Sequence, residues 1–378
     1  MRKLRSVTLL LIVASIFIFA VYKWSLSLAF VRKFFIERRC GEQKYVMLTP
    51  RGDKRMRQQC PNLLDIAVSM LNGEKIQLPF ETSNTRWNFK ERVDLSSYSK
   101  TYFRWNYPWE QGNSRDTMKK AKYYNVSAKS LPFKKYFITF AENCCDISKK
   151  RAGEHAVEVG GFDVAVVHDL CSVNPAFRQA HQHILFRRKG AGYWLWKPHL
   201  ILKTLIEDMS YGDLLMYQDA GSYLKKDAGP LLKLASESPQ GIVVFTLQFL
   251  EKYYTKSDTF KIMQMNNPEF MRVAYQTLAS FVVLRKDCRT LQFVMEWLAY
   301  SSDARCVTDD ANMLGGKNHK DFVGHRHDQS VLSLLSKKWG LSQHRDPSCL
   351  YMDDSDWKVY GFASGPYEQL IVHDRFRS

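Results

Sequence analysis

The stretch "GDLLMYQDAG", residues 212–221, reads as a short strand that runs straight into a single acid, Asp219, followed by Ala220 and Gly221. Near-continuous apolar character over such a run is the pattern of a strand covered on both faces. A carboxylate at its end has two readings. One is an ordinary surface turn, for which Asp and Gly are common residues. The other is a ligand for a divalent cation, because Mn²⁺ and Mg²⁺ prefer oxygen donors and share them with substrate phosphates. The fold decides between them, since ligands of open α/β sheets collect at the carboxyl ends of strands.

Outward from that stretch, "KYFITFA" and "FDVAVVHDL" precede it, and "GIVVFTL" and "ASFVVLRK" (279–286) follow it, all with the same strand texture. Between them lie helical patterns, chiefly "NPAFRQAHQHILFRRKG" and "YWLWKPHLILKTLIEDM". Alternation of this kind predicts an α/β fold, a mainly parallel sheet sandwiched by helices, over residues 131–378. Residues 61–130 are expected to form an accessory region packed on that domain. Within it, "NLLDIAVSML" has amphipathic helical spacing and "YSKTYFRWNYPW" is too rich in aromatics for a linker.

The amino end reads as a membrane device. A basic tail, residues 1–6, precedes sixteen uncharged residues, Val7 to Tyr22. As a helix these span about 24 Å, somewhat less than a hydrocarbon core of about 30 Å, and Lys23 and Trp24 can make up the difference by snorkelling and interfacial anchoring. Residues 7–24 are expected to be an uncleaved signal anchor; the rival is a signal peptide cleaved after Ala20. Residues 25–60 look like a basic stalk. Of the formal net charge of +17, residues 1–60 contribute 13 Lys and Arg against 3 Asp and Glu, so the remainder of the chain is only modestly cationic. Eight cysteines without a C-x-x-C pair are compatible with disulfides in an oxidising lumen, and Asn125-Val126-Ser127 is an acceptor sequon for N-glycosylation.

Three further clusters carry chemistry. In "RRKGAGYWLWKPHLI" (187–201), Arg187, Arg188 and Lys189 flank glycines, and Lys197 opens a helix; cations beside glycine-freed amides suit diphosphate oxygens. Tyr193, Trp194 and Trp196 there are expected in the core. In "GHRHDQSVLSLLSKKWGL" (324–341), Asp328 starts a helix, as a cap or as a functional acid. His325 and His327 are two apart, the wrong spacing for a helical zinc pair. Near the carboxyl end, His373 and Asp374 could fold back toward a cation, and Asp309 and Asp310 are reserve acids. The chain has no G-x-S-x-G, P-loop, H-E-x-x-H or dinucleotide-binding motif, and no recognisable nucleic-acid reading module.

Taken together, "YWLWKP", "GDLLMYQDAG" and "HRHDQSVLSLL" on an anchored α/β domain resemble type II membrane glycosyltransferases with the A-type (GT-A) nucleotide-sugar fold. The resemblance covers residues 131–378. It implies transfer of a sugar from a UDP- or GDP-linked donor to a glycan, protein or lipid acceptor, in the Golgi or endoplasmic reticulum with the catalytic domain luminal. In that family a D-x-D-type strand end holds Mn²⁺ against the diphosphate; here Tyr217 stands at the first acidic position, leaving Asp219 as the one carboxylate. "DQSVLSLL" resembles the Asp-Gln segment that glycogenin-like retaining enzymes set beside the transferred sugar. The implied site is Asp219 and His373 as metal ligands, Lys197 and Arg188 toward the donor's diphosphate, and Asp328 with Lys197 at the reacting centre. Two rivals remain from the sequence: a catalytically silent glycan-binding or scaffolding protein of the same fold, and a polyanion-binding membrane protein acting through residues 23–60.

Overall fold

The computed structural model describes residues 32–33, 36–37, 39–40, 54–74, 124–142, 145–348 and 367–373. The expected anchor, residues 75–123 and Asp374 lie outside the described residues, as does most of the expected stalk. Among those described, no helix is long and apolar enough to cross a membrane.

The strands are β1 Lys135–Phe140, β2 Val164–His168, β3 Leu214–Gln218, β4 Ser222–Leu224, β5 Ile242–Leu250, β6 Tyr275–Arg285, β7 Gln343–His344 and β8 Ile371–His373. The principal helices are α1 Pro61–Leu71, α2 Asp146–Glu158, α3 Trp196–Glu207, α4 Gly229–Glu237, α5 Cys288–Ser301 and α6 Asp328–Lys338. Six strands form the central sheet in the order β2-β1-β3-β6-β5-β7, and β4 pairs with β8 beside it. β1 is parallel to β2 and β3, and β5 is parallel to β7; β6 runs against both of its neighbours, so it alone is reversed. The fold is therefore α/β with a mainly parallel sheet, as the strand and helix alternation predicts.

Period-two alternation explains why both faces are covered. Tyr136, Ile138 and Phe140 of β1 and Leu215 and Tyr217 of β3 enter one apolar cluster, which α1, α3, α5 and α6 complete. Phe137, Leu214 and Met216 enter the other, against Ala152 and Ala156 of α2 and Leu231, Leu232 and Ala235 of α4. Each strand thus needs apolar residues at nearly every position, which is why these runs lack a polar face. α1 shares the core of α3 and α5 through Leu64, Ala67 and Leu71, and the Cys60–Cys288 disulfide ties its start to that of α5. A second disulfide joins Cys40 to Cys171, and Cys145 is also disulfide-bonded.

One expected helix is broken. "NPAFRQAHQHILFRRKG" forms two short helices, Pro175–Ala180 and Gln182–Leu185, and then enters a left-handed turn. Gly190, Ala191, Gly192, Tyr193 and Trp194 have φ of 57°, 51°, 103°, 53° and 61°. The glycines permit it: a Cβ on Gly190 would lie 2.3 Å from the Trp194 ring, and one on Gly192 would lie 2.5 Å from the Leu185 Cα. For Ala191, Tyr193 and Trp194 this backbone costs about 1–2 kcal/mol each, which surrounding contacts must offset.

Candidate active site

β3 delivers Asp219 to the carboxyl edge of the sheet. Its backbone N–H still donates to Ser280 O of β6 at 2.9 Å, and the chain then turns sharply, with the Ser222 hydroxyl donating to Asp219 O at 2.8 Å. Gly221 is not in the left-handed region, so this turn does not draw on glycine's special freedom. Two residues back, Tyr217 lies on the same side of the strand, and its hydroxyl donates to Asp219 Oδ1. The residue standing where the first acid of a D-x-D would be is therefore a donor that orients the remaining acid.

Lys197 comes from the first turn of α3, where the helix dipole disfavours a cation, and it is only 2% exposed. Two carboxylates compensate. Its Nζ lies 2.7 Å from Asp328 Oδ2 and 3.5 Å from Asp219 Oδ1, and it donates to Ala279 O at 3.1 Å. The Asp328 contact is a close, buried ion pair, and at this separation charge governs the interaction. Burial by itself would depress the Lys197 ammonium, but Asp219 and Asp328 outweigh it and hold its pKa above the ordinary lysine value. Three oxygens thus surround an ammonium that has three protons. In this arrangement Lys197 holds the carboxylates, and contact with a diphosphate would require one of these partners to give way.

Asp328 is the first residue of α6, a position the helix dipole favours, and it is 3% exposed. Burial pushes its carboxyl up to about 6, against the pull of Lys197 and with the charge of Asp219 adding to the rise. Burial likewise raises the Tyr217 phenol well above its usual value, assisted by Asp219. Phe140 stacks on Trp196 at 3.5 Å between centroids, and the Lys197 ammonium lies 5.0 Å from the Tyr217 ring, so an aromatic floor closes the cluster from the core side.

The sequence-predicted residues divide. Lys197, Asp219 and Asp328 come together from α3, β3 and α6. His373 returns on β8, in register with Ser222 three residues beyond Asp219, with Nε2 3.0 Å from Ser348 Oγ. Arg188 is exposed, and no described contact carries it to the Lys197 cluster. Its neighbours are neutralised: Arg187 makes a two-pronged pair with Asp310 at 2.6 and 3.0 Å, and Lys189 pairs with Asp309 at 2.8 Å. The reserve acids thus serve as counter-charges for the basic turn. Tyr193 and Trp196 are buried as expected, while Trp194 is half-buried and stacks on His327 at 5.5 Å.

Asp219 Oδ2 takes no hydrogen bond from a described residue, and the side chain is 36% exposed. Among the described residues no three His, Cys, Asp or Glu side chains cluster closely enough to hold a metal by themselves. This donor set fits a cation shared with substrate phosphates and does not fit a closed protein cage.

Sequence reasoning missed the orienting role of Tyr217, although alternation along the strand places it beside Asp219. It also missed a buried polar layer behind α6, built around Glu251, Lys337 and Gln276, whose members lie too far apart in sequence to form a motif.

No family model matches the chain, and no curated protein matches it. Solved structures show slight similarity. Mouse xyloside xylosyltransferase 1 matches at 12% identity over 64% of this chain and 98% of its own, with a TM-score of 0.33. The galactosyltransferase LgtC, in complex with donor and acceptor sugar analogues, matches at 12% over 64% and 87%, with a TM-score of 0.34. The bifunctional glycosyltransferase WbbM matches at 13% over 56% and 39%, with a TM-score of 0.30. Overlap of this degree leaves the chain's chemistry to be argued from its own side chains.

Proposed function

We propose that the chain is a glycosyltransferase that moves a sugar from a nucleoside diphosphate donor, UDP- or GDP-linked, to a hydroxyl of a glycan, protein or lipid. The observation that carries this reading is the Lys197 bridge, which fixes two carboxylates from different elements at the carboxyl end of β3. Asp219 Oδ2, with His373 as a second donor, could hold Mn²⁺ or Mg²⁺, which when bound supplies positive charge against the leaving diphosphate. Lys197 acts as a positioning residue that keeps both acids in place. Asp328 then faces the sugar or the acceptor; as a general base it would need to come within hydrogen-bond reach of the acceptor hydroxyl in its ionised form.

A luminal site in the Golgi or endoplasmic reticulum, on a single-pass type II anchor, accords with the Cys40–Cys171 and Cys60–Cys288 disulfides and with the apolar run Val7–Tyr22. The test uses the full chain and a panel of UDP- and GDP-sugars with Mn²⁺. One donor should raise the melting temperature, since a ligand that binds only the folded state stabilises it, and should be slowly hydrolysed. Asp219→Ala should abolish the hydrolysis. If no nucleotide sugar binds with or without metal, the enzymatic reading fails and a silent glycan-binding protein takes its place.

A further inference from the structure

Behind α6 lies a polar layer that none of the chemistry above uses. Glu251 and Lys337 are both fully buried and lie 3.3 Å apart, with the Ser333 hydroxyl donating to Glu251 Oε1. Buried polar groups of this kind are costly unless satisfied, and a complete network can specify one geometry. The informative member is Gln276 of β6, which is 0% exposed.

An amide's oxygen and nitrogen are told apart only by their partners, and here the partners decide. The Thr255 hydroxyl donates to Glu251 Oε2 at 2.6 Å, and the Ser330 hydroxyl donates to Tyr254 O at 2.7 Å. Each hydroxyl has then used its only hydrogen, so toward Gln276 both can only accept, and the Glu251 carboxylate can only accept as well. All three face the same end of Gln276, at 3.2, 3.3 and 3.4 Å, and that end must be the NH₂. Its oxygen is thereby turned toward Gln329, whose Nε2 donates to it at 2.9 Å. Gln329 Oε1 is left over; among the described residues nothing bonds it, and the side chain is half-buried next to Asp328.

We propose that Glu251 and Gln276 are positioning residues: the buried carboxylate fixes the orientation of the Gln276 amide, and Gln276 in turn fixes Gln329 so that its carbonyl oxygen, not the nitrogen bonded to Gln276, is left free at the start of α6, one residue after Asp328. The consequence for recognition rests on the glycosyltransferase reading. An oxygen held there accepts a hydrogen and offers none, so it selects a hydroxyl of a sugar or acceptor and disfavours a phosphate oxygen.

The test separates the relay from the reaction. In the full chain labelled with ¹⁵N-glutamine, the Gln329 side-chain signals are identified by their loss in Gln329→Glu. In the wild type, one of the two NH₂ protons should be shifted by its bond to Gln276 and slow to exchange. In Gln276→Met, an apolar side chain of similar length, that proton should move to the solvent-exposed position and exchange at least about tenfold faster. Should Gln276→Met not fold, Gln276→Leu, a shorter apolar side chain that also lacks the amide, should free the same signal. Unchanged Gln329 signals in the folded variant overturn the relay. With UDP-glucose, or whichever UDP- or GDP-sugar the wild type hydrolyses, Gln276→Met should lower kcat about tenfold and leave KM within about twofold. An unchanged kcat with a freed Gln329 overturns the positioning role. If the wild type turns over no nucleotide sugar, the amide signals still decide the relay, and only the reading of the reaction is lost.

Discussion

Replacing Lys197 with Met keeps the length of the side chain and removes the charge that holds Asp219 and Asp328 together. The gross attraction to Asp328 at 2.7 Å is about 6 kcal/mol at an effective dielectric of about 20. Asp219 adds less, because it is 3.5 Å away and its carboxylate is 36% exposed to screening water. Desolvation of the buried ions offsets most of this gross figure, so the net quantity to expect is the cost of breaking a buried pair from one side, about 3–5 kcal/mol. In a chain of this size that lowers the melting temperature by roughly 4–6 °C. The assay is a double-mutant cycle by thermal or urea unfolding with Lys197→Met, Asp328→Asn and both together. Lys197→Met strands two carboxylates, whereas Asp328→Asn removes an acid whose ionisation burial already disfavours; the charge that Lys197→Met strands at 328 is absent from the double change, so the coupling should reach at least about 2 kcal/mol. Nucleotide-sugar hydrolysis by Lys197→Met should fall about 100-fold or more, as it does when fixed charges of an active site are removed. A Lys197→Met variant that loses under about 1 kcal/mol, with an effect that simply adds to that of Asp328→Asn, would refute the bridge as the element that builds this site.

Three further outcomes follow from the same geometry. Because burial raises the Asp328 carboxyl to about 6 from its ordinary value of 3.8, its contribution to stability is present below the unfolded value and is lost as pH rises through about 6. Relative to Asp328→Asn, the wild type should therefore lose about 2.4 kcal/mol between pH 4 and pH 7, and a flat difference by urea unfolding contradicts the assignment. Tyr217→Phe should lower the melting temperature by about 2–4 °C and cut donor hydrolysis about tenfold, since a hydrogen bond to a charged group contributes about 1.5–3 kcal/mol; unaltered turnover removes the orienting role of the phenol. Gly192→Ala meets both a φ of +103° and the Leu185 backbone at 2.5 Å, whereas Gly315→Ala meets a φ of +70° in open space. The first should cost at least about 2 kcal/mol more than the second, and equal melting temperatures would show that the left-handed turn is not held by close packing.

What could be read from the sequence follows from the range of the interactions involved. The five strands were legible because two-sided coverage forces apolar residues at nearly every position, a local and continuous signal. The three residues that meet at Lys197 were legible as separate points, each at a strand end or helix start. Their meeting was not, because it depends on how β3, β6, α3 and α6 stack. The left-handed turn escaped periodicity for a different reason: "GAGYW" contains two residues, Tyr193 and Trp194, that normally avoid positive φ, so propensity argues against what tertiary contacts impose. Asp309 and Asp310 were visible as acids, yet their pairing with Lys189 and Arg187 spans about 120 positions and leaves no local trace. The Gln276 relay is less visible still, since glutamine, serine and threonine on a helix and a strand look like solvated surface until burial is known.

The counter-charges on the basic turn bear directly on the metal. With Arg187 and Lys189 each matched to an acid, that turn brings little net positive field to the site. The core of the site is one ammonium between two carboxylates, so above the Asp328 value of about 6 it carries a net charge of −1. A nucleoside diphosphate, itself anionic, would be repelled by such a cluster unless a cation accompanied it. Affinity for UDP or GDP measured by calorimetry at pH 7.5 should therefore be weak in EDTA and rise at least about tenfold, some 1.4 kcal/mol, when Mn²⁺ is restored. Asp219→Asn should remove most of that difference, because Oδ2 of Asp219 takes no bond from a described residue and is the oxygen left to meet a cation. Equal affinity in EDTA and in Mn²⁺ would mean that the diphosphate binds away from Asp219, with Arg188 and residues outside this cluster supplying the charge.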